Sequence, residues 1–366
     1  MKVVVIHPTF WKRSRTAVWL RSFSLVLATT LLVACGAVSS PTAAPAPSSP
    51  GGADLVPASA PPATAAATPA VPPVAATDAA PVLPATVSGL EGETVTIESV
   101  ERIVSLNGDM TEIIFALGLG AQIVGVDSSA TYPPDATQEL PNIGYQRRLS
   151  AEGILALNPT LVIGDEAAGP PEALDQIRSA GVPVALTPDP PTLEAPGQKI
   201  RFVAQALGVA EQGERLAAQV EAEIAAARAA AERQVGTPQV IFLYLRGTDV
   251  QQVAGAGTAA DAMITAAGGA NAASDAGIVE FKPLSPETLI AAQPDVLLVM
   301  DKGLESVGGV DGLLRIPGLA DTPAGQHRRV VALDDLYLLG MGPRTGQALA
   351  DLVAAFHDPA TQGAQP

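Results

Sequence analysis

Beyond residue 92 the chain settles into a repeating pattern. A short, nearly continuous apolar run is followed by a polar turn, then by apolar residues three or four apart. The runs at 102–106, 123–127, 161–164 and 182–186 predict strands buried on both faces, with a further strand at 95–98. Between them, residues 111–117, 150–157 and 172–180 predict short helices. Asn107-Gly108-Asp109 supplies capping chemistry before the first, and Gly118 and Gly120 end it. Residues 199–207 are helical in pattern. Residues 211–233 predict one long Ala-rich helix, charged on one side, with Leu216, Val220 and Ile224 at spacing four on the other. The alternation then restarts, with strands at 240–245, 295–300 and 330–333, a helix from Thr258 to about Ala267 and a closing helix at 346–356. Apolar strands alternating with helices predict mostly parallel sheets covered on both faces.

The second half echoes the first. Leu149-Ser150-Ala151-Glu152-Gly153-Ile154-Leu155-Ala156-Leu157-Asn158-Pro159 runs into an apolar strand, and so does Leu284-Ser285-Pro286-Glu287-Thr288-Leu289-Ile290-Ala291-Ala292-Gln293-Pro294. In each copy a Ser caps a helix, a Glu falls in its first turn and a Pro breaks the chain. Local capping accounts for each copy but not for their shared register. The expected fold is therefore α/β, with two similar Rossmann-like lobes at 93–208 and 237–358. One long helix across 209–236 joins them, and a ligand cleft lies between them.

The first 92 residues break the pattern. Lys12, Arg13, Arg15 and Arg21 precede an apolar run from Ser22 to Ala34 that is too short to span a bilayer. That run ends Leu32-Val33-Ala34-Cys35-Gly36, similar to a lipoprotein box, so 1–35 is expected to be a signal segment and Cys35 the lipid-bearing residue of the mature chain. Residues 36–92 are Ala, Pro, Ser, Thr and Gly with almost no charge, which predicts a disordered tether that sets distance from the membrane. A tail is expected at 359–366. These segments place the folded part on the extracytoplasmic face of the cell membrane.

Charge and residue counts then narrow the chemistry. A formal net charge of -16 excludes a nucleic-acid partner, which needs basic patches. The single Cys removes disulfides within a monomer and Cys-based metal sites. Only three His, one of them in the leader, leave little for a zinc site or a His-based catalytic set. No Gly-x-Ser-x-Gly, His-Glu-x-x-His or Walker pattern is present, so an enzyme is not expected.

One stretch stands out: Gly144-Tyr145-Gln146-Arg147-Arg148-Leu149-Ser150-Ala151-Glu152. A phenol, with an ordinary pKa of about 10, ionises more readily beside fixed positive charge. The resulting phenolate is a hard anionic ligand suited to ferric iron, and Tyr is a known haem ligand. A surface turn with two solvated arginines is the plain alternative. Gly255-Ala256-Gly257-Thr258 before a helix offers backbone N–H groups to an anion, or merely a tight turn with Thr258 as cap. Arg246 follows a strand end, facing a cleft or solvent. Tyr337 and Met341 read as core residues, and His327 and His357 as surface positions.

Taken together, these segments resemble the haem-binding proteins of bacterial haem ABC importers. The resemblance spans about residues 100 to 357. It rests on Arg102-Ile103-Val104-Ser105-Leu106-Asn107-Gly108, Gly144-Tyr145 through Glu152, Ala254-Gly255-Ala256-Gly257-Thr258-Ala259-Ala260-Asp261, Gly308-Gly309-Val310-Asp311-Gly312-Leu313-Leu314 and Leu338-Leu339-Gly340-Met341-Gly342-Pro343-Arg344-Thr345. The resemblance implies two α/β lobes bridged by a rigid helix and ferric haem b as transported ligand. It implies Tyr145 as axial ligand to the haem iron with Arg147 beside it, and Arg246, Gly257 and Thr258 as further haem contacts. Glu152 and Glu287 would dock an ABC permease that works with its ATPase. The same fold carrying cobalamin or a ferric siderophore is the alternative.

Overall fold

The computed structural model describes residues 80–357. The expected signal segment, Cys35 and the tail lie outside the described residues, and all described residues fall within one compact unit, Ala66–Pro366.

Order begins earlier than the expected end of the tether at residue 92. Strand β1 (Ala85–Ser88) pairs antiparallel with β2 (Thr94–Ile97). Ala85 and Val87 point inward while Thr86 and Ser88 point out, a period-two pattern hidden in a stretch whose overall composition reads as spacer. The hairpin is tied to the first lobe by Gln205, whose side-chain amide donates to the Thr86 carbonyl at 2.7 Å.

Strands β3 (Ile103–Ser105), β4 (Ile123–Val126), β5 (Leu161–Asp165) and β6 (Val184–Thr187) form the first sheet. Their order is β4-β3-β5-β6, all parallel. The second sheet comprises β7 (Gln239–Arg246), β8 (Val250–Ala254), β9 (Ala270–Asn271), β10 (Phe281–Pro283), β11 (Val296–Met300) and β12 (Val330–Leu333). Its order is β10-β8-β7-β11-β12, with β9 also on β7. Here β7, β9, β11 and β12 are parallel, β8 runs antiparallel to β7, and β10 pairs antiparallel with β8. The second sheet is thus mixed. Residues 250–254 carry two glutamines and no continuous apolar run. Their strand exists because Gly247, at φ +60, turns the chain back along β7.

Period-two alternation sends neighbouring residues into different cores. Ile103, Val240, Phe242 and Leu298 face a large shared core, whereas Val104, Ile241, Leu243 and Leu297 face two separate outer ones. The helix Ala210–Ala231, about 33 Å long at 1.5 Å per residue, lays Leu216, Ala217, Val220, Ile224 and Ala227 into the shared core. The helix Ala195–Ala206 packs beside it from the first lobe and the helix Thr345–His357 from the second. Both lobes therefore rest on one apolar seam, and bending between them would open that seam to water.

Candidate ligand cleft

The carboxyl ends of strands from both sheets converge on one cleft of about 540 Å³. This is where open α/β sheets place their ligands. The first lobe contributes Asn107, Gly108 and Asp109 after β3, Ser128 and Ser129 after β4, Asp165 at the end of β5 and Asp189 after β6. The second contributes Tyr244 and Arg246 from β7, Met300 and Lys302 from β11 onward, and Asp335, Leu336, Leu339 and Gly340 after β12.

Tyr145 lies on the first-lobe wall with 47% of its surface exposed. Its loop is held by backbone bonds on each side: Ser128 N–H donates to the Gly144 carbonyl at 2.9 Å, and Gly169 N–H to the Gln146 carbonyl at 2.9 Å. Gly144 takes φ +88, a conformation that frees the next residue to turn into the cleft. Arg147 sits two residues further on, exposed, in the short helix Gln146–Arg148, and is not among the cleft-lining residues. Arg246 does face the cleft. Its guanidinium pairs with Asp335 at 2.9 Å and lies 4.6 Å from the Tyr244 ring centroid. Tyr244 in turn meets Phe281 edge-on at 5.9 Å.

Tyr244 and Lys302 are cleft residues that sequence reasoning missed. The signal was available: Tyr244 and Arg246 are two apart at the end of a strand and so share a face. Gly257 and Thr258 lie at a turn away from the cleft lining. Thr258 caps the helix Ala259–Ala266, accepting from Asp261 N–H at 3.1 Å. The Gly257 N–H donates to the Asp261 carboxylate at 3.3 Å, so the chain's own anion already occupies the turn, and neither residue lines the cleft. His357, expected at the surface, is buried, its Nε2 3.3 Å from the Ala267 carbonyl oxygen. Tyr337 and Met341 are core residues, as their pattern suggested. Burial, then the adjacent Asp351 that accepts its hydroxyl at 2.9 Å, push the Tyr337 phenol well above its ordinary range, which rules it out as a phenolate.

The floor of the cleft is acidic. Asp165 accepts from Asn107 Nδ2 at 2.8 Å and from Ala167 N–H at 2.8 Å. Burial, with Asp109 adding to it, pushes its carboxyl up to about 7. Behind the cleft lining, burial likewise pushes Asp127 up to about 6. Asn107 Oδ1 and Asp127 Oδ2 are buried without a hydrogen-bond partner among the described residues. The floor is built of acceptors, so it favours donors or water and repels carboxylates. The cations lining the cleft are Arg246 and Lys302, both from the second lobe.

The sequence profile described as periplasmic binding protein matches residues 103–337. The chain belongs to that family. Among solved structures, the periplasmic heme-binding protein RhuT from Roseiflexus sp. RS-1, in apo form, is 80% identical with a TM-score of 0.70, covering 72% of this chain and 99% of that one. BhuT, a periplasmic heme-binding protein solved with two hemes, is 44% identical with a TM-score of 0.66, covering 70% of this chain and 98% of that one. A vitamin B12-binding protein from Vibrio parahaemolyticus is 27% identical over 264 residues, 72% of this chain and 92% of that relative.

In this periplasmic binding protein the two echoed glutamates are both exposed, one per lobe. Glu152 lies in the first turn of the helix Ala151–Leu155, which Ser150 caps by accepting from Gly153 N–H at 3.2 Å. Glu287 lies in the first turn of the helix Pro286–Ala292, which Ser285 caps by accepting from Thr288 N–H at 3.2 Å. Backbone N–H and the Ser285 hydroxyl hold the Glu287 carboxyl below its ordinary range, so it is a fixed negative charge.

Proposed function

We propose that this protein captures ferric haem in the cleft and hands it to an ABC importer. The observation that carries the reading is Tyr145, a half-exposed phenol on one wall of a cleft whose opposite wall presents Tyr244 and Arg246. The 80% and 44% identities to proteins described as heme-binding support it. Iron binding converts a phenol to a phenolate, a ligand matched to ferric iron. Arg246 and Lys302 are the groups that would meet the propionates, because the acidic floor disfavours them. Arg147 contributes positive potential from outside the cleft wall. Glu152 and Glu287 would meet basic residues of the permease, and Cys35 would tether the protein to the outer face of the membrane. The ATPase of the transporter supplies the work of release.

The test is a hemin titration followed by visible absorbance. The wild type is expected to give a Soret band with ferric phenolate features, lost in Tyr145→Ala. Unchanged binding by Tyr145→Ala would remove the ligand assignment, and loss in Tyr244→Phe instead would move it across the cleft. Cobalamin is the second reading, favoured by the vitamin B12-binding relative at 27% identity. Heat released on adding cyanocobalamin, with none on adding hemin, would select it.

A further inference from the structure

Two buried cations cross between the lobes directly behind the cleft. Arg344, 2% exposed, belongs to the second lobe but forms a two-pronged pair with Glu112 of the first, at 2.9 and 2.8 Å. Its guanidinium also lies 3.7 Å from the ring centroid of Tyr132 in the first lobe and 5.0 Å from that of Tyr337 in the second. Lys199, 1% exposed, donates to Asp109 at 2.6 Å and Asp189 at 2.9 Å in its own lobe, and to the Gly340 carbonyl of the other at 3.0 Å. Asp109 and Glu112 are one turn apart on the helix Gly108–Ala116, whose first residues line the cleft, and Gly340 lines it from the opposite side.

The shared apolar core holds the lobes together, but apolar contacts are tolerant of sliding. A planar guanidinium gripping a carboxylate with two hydrogen bonds, and stacked between one ring from each lobe, is not. The geometry points to Arg344 as a positioning residue that fixes the width of the ligand cleft by pinning the helix Gly108–Ala116 to the second lobe. Lys199 makes the same link a second time through Gly340. Neither residue lines the cleft, so neither acts on the ligand by touch. A buried ion pair contributes little net stability against a well-packed apolar pair of the same volume, so exchanging both members for apolar side chains tests the fixed geometry apart from stability. That separates positioning from mere support.

This proposal rests on the cleft being the ligand site, and its first measurement needs no ligand. Spin labels at S179C and D321C, one exposed position on each lobe, report the lobe-to-lobe distance distribution of apo protein in a Cys35→Ser background. The double variant Glu112→Met with Arg344→Met is expected to fold with near wild-type stability yet to show a broadened or shifted distribution. Arg344→Lys, which keeps the charge and loses the fork, should fall between. Hemin transfer to an excess of apomyoglobin should be at least tenfold faster in the double variant, with the absorbance bands of the bound state unmoved. A wild-type distribution in the double variant overturns the proposal, as does a broadened distribution with unchanged transfer. If the double variant does not fold, Glu112→Gln decides: an unaltered distribution overturns the proposal and a broader one upholds it. Failure of wild-type protein to bind hemin would overturn the haem reading while leaving the distance measurement to judge the link.

Discussion

Asp165→Asn should stabilise the protein at alkaline pH and do little in acid. Asp165 ends β5 on the cleft floor, buried, with Asn107 and Ala167 as its hydrogen-bond donors. Burial pushes its carboxyl from an ordinary 3.8 to about 7. In the unfolded chain the proton leaves near 3.8, and in the folded protein it stays until about 7. Between those values the folded state binds more protons, so stability is full below pH 4, falls as pH rises and has lost this contribution above pH 7. At about 1.4 kcal/mol per pH unit of displacement, the loss amounts to about 4 kcal/mol. Asparagine cannot ionise and keeps the shape, but gives up one accepted hydrogen bond worth about 1 kcal/mol. The net gain should be about 3 kcal/mol at pH 8 and under about 1 kcal/mol at pH 5. Urea denaturation at the two pH values, followed by circular dichroism, measures both numbers. An equal effect at pH 5 and pH 8, or a loss at pH 8, would refute the reasoning. A protein that retains an ionisable group here gives up stability for a polar cleft floor, the trade expected at a binding site.

Three further outcomes follow from the geometry. Glu152→Ala combined with Glu287→Ala should leave hemin affinity unchanged and abolish uptake by cells or by permease-containing vesicles; intact uptake would end the docking role. Leu216→Ala, on the buried face of the joining helix, should cost about 2–5 kcal/mol and lower amide-exchange protection in both lobes together, because Leu216 is fully buried in their shared core. Ser285→Ala should cost about 1 kcal/mol through the lost helix cap, read as a lower urea midpoint, with hemin binding unaltered.

Much of the architecture is written in local pattern. Strands β3, β5, β7, β11 and β12 announce themselves as apolar runs. The helix Ala210–Ala231 shows its buried stripe at spacing four. The two Ser–Glu helix starts declare their shared register without any coordinates. Even Tyr145 is marked locally, by a glycine before it and arginines after it. Each of these signals depends on residues a few positions apart, where backbone geometry alone decides who shares a face. The misses are of another kind. The hairpin at Ala85–Ser88 disappears into spacer-like composition, and β8 depends on a turn at Gly247 and a partner already in place. Gly257 and Thr258 read locally as either an anion cradle or a capped turn, and the Asp261 carboxylate beside them is a through-space detail that pattern leaves open. Arg344 and Glu112 are 232 positions apart, and Tyr244 and Tyr145 come to line one cleft only once both sheets have formed. The sequence by itself determined the main apolar strands, the long joining helix and the two-lobed repeat, because those follow from propensity and period. Only the tertiary structure decided which wall each side chain lines and which charges meet across the lobes, because those depend on distances through space that no local pattern encodes.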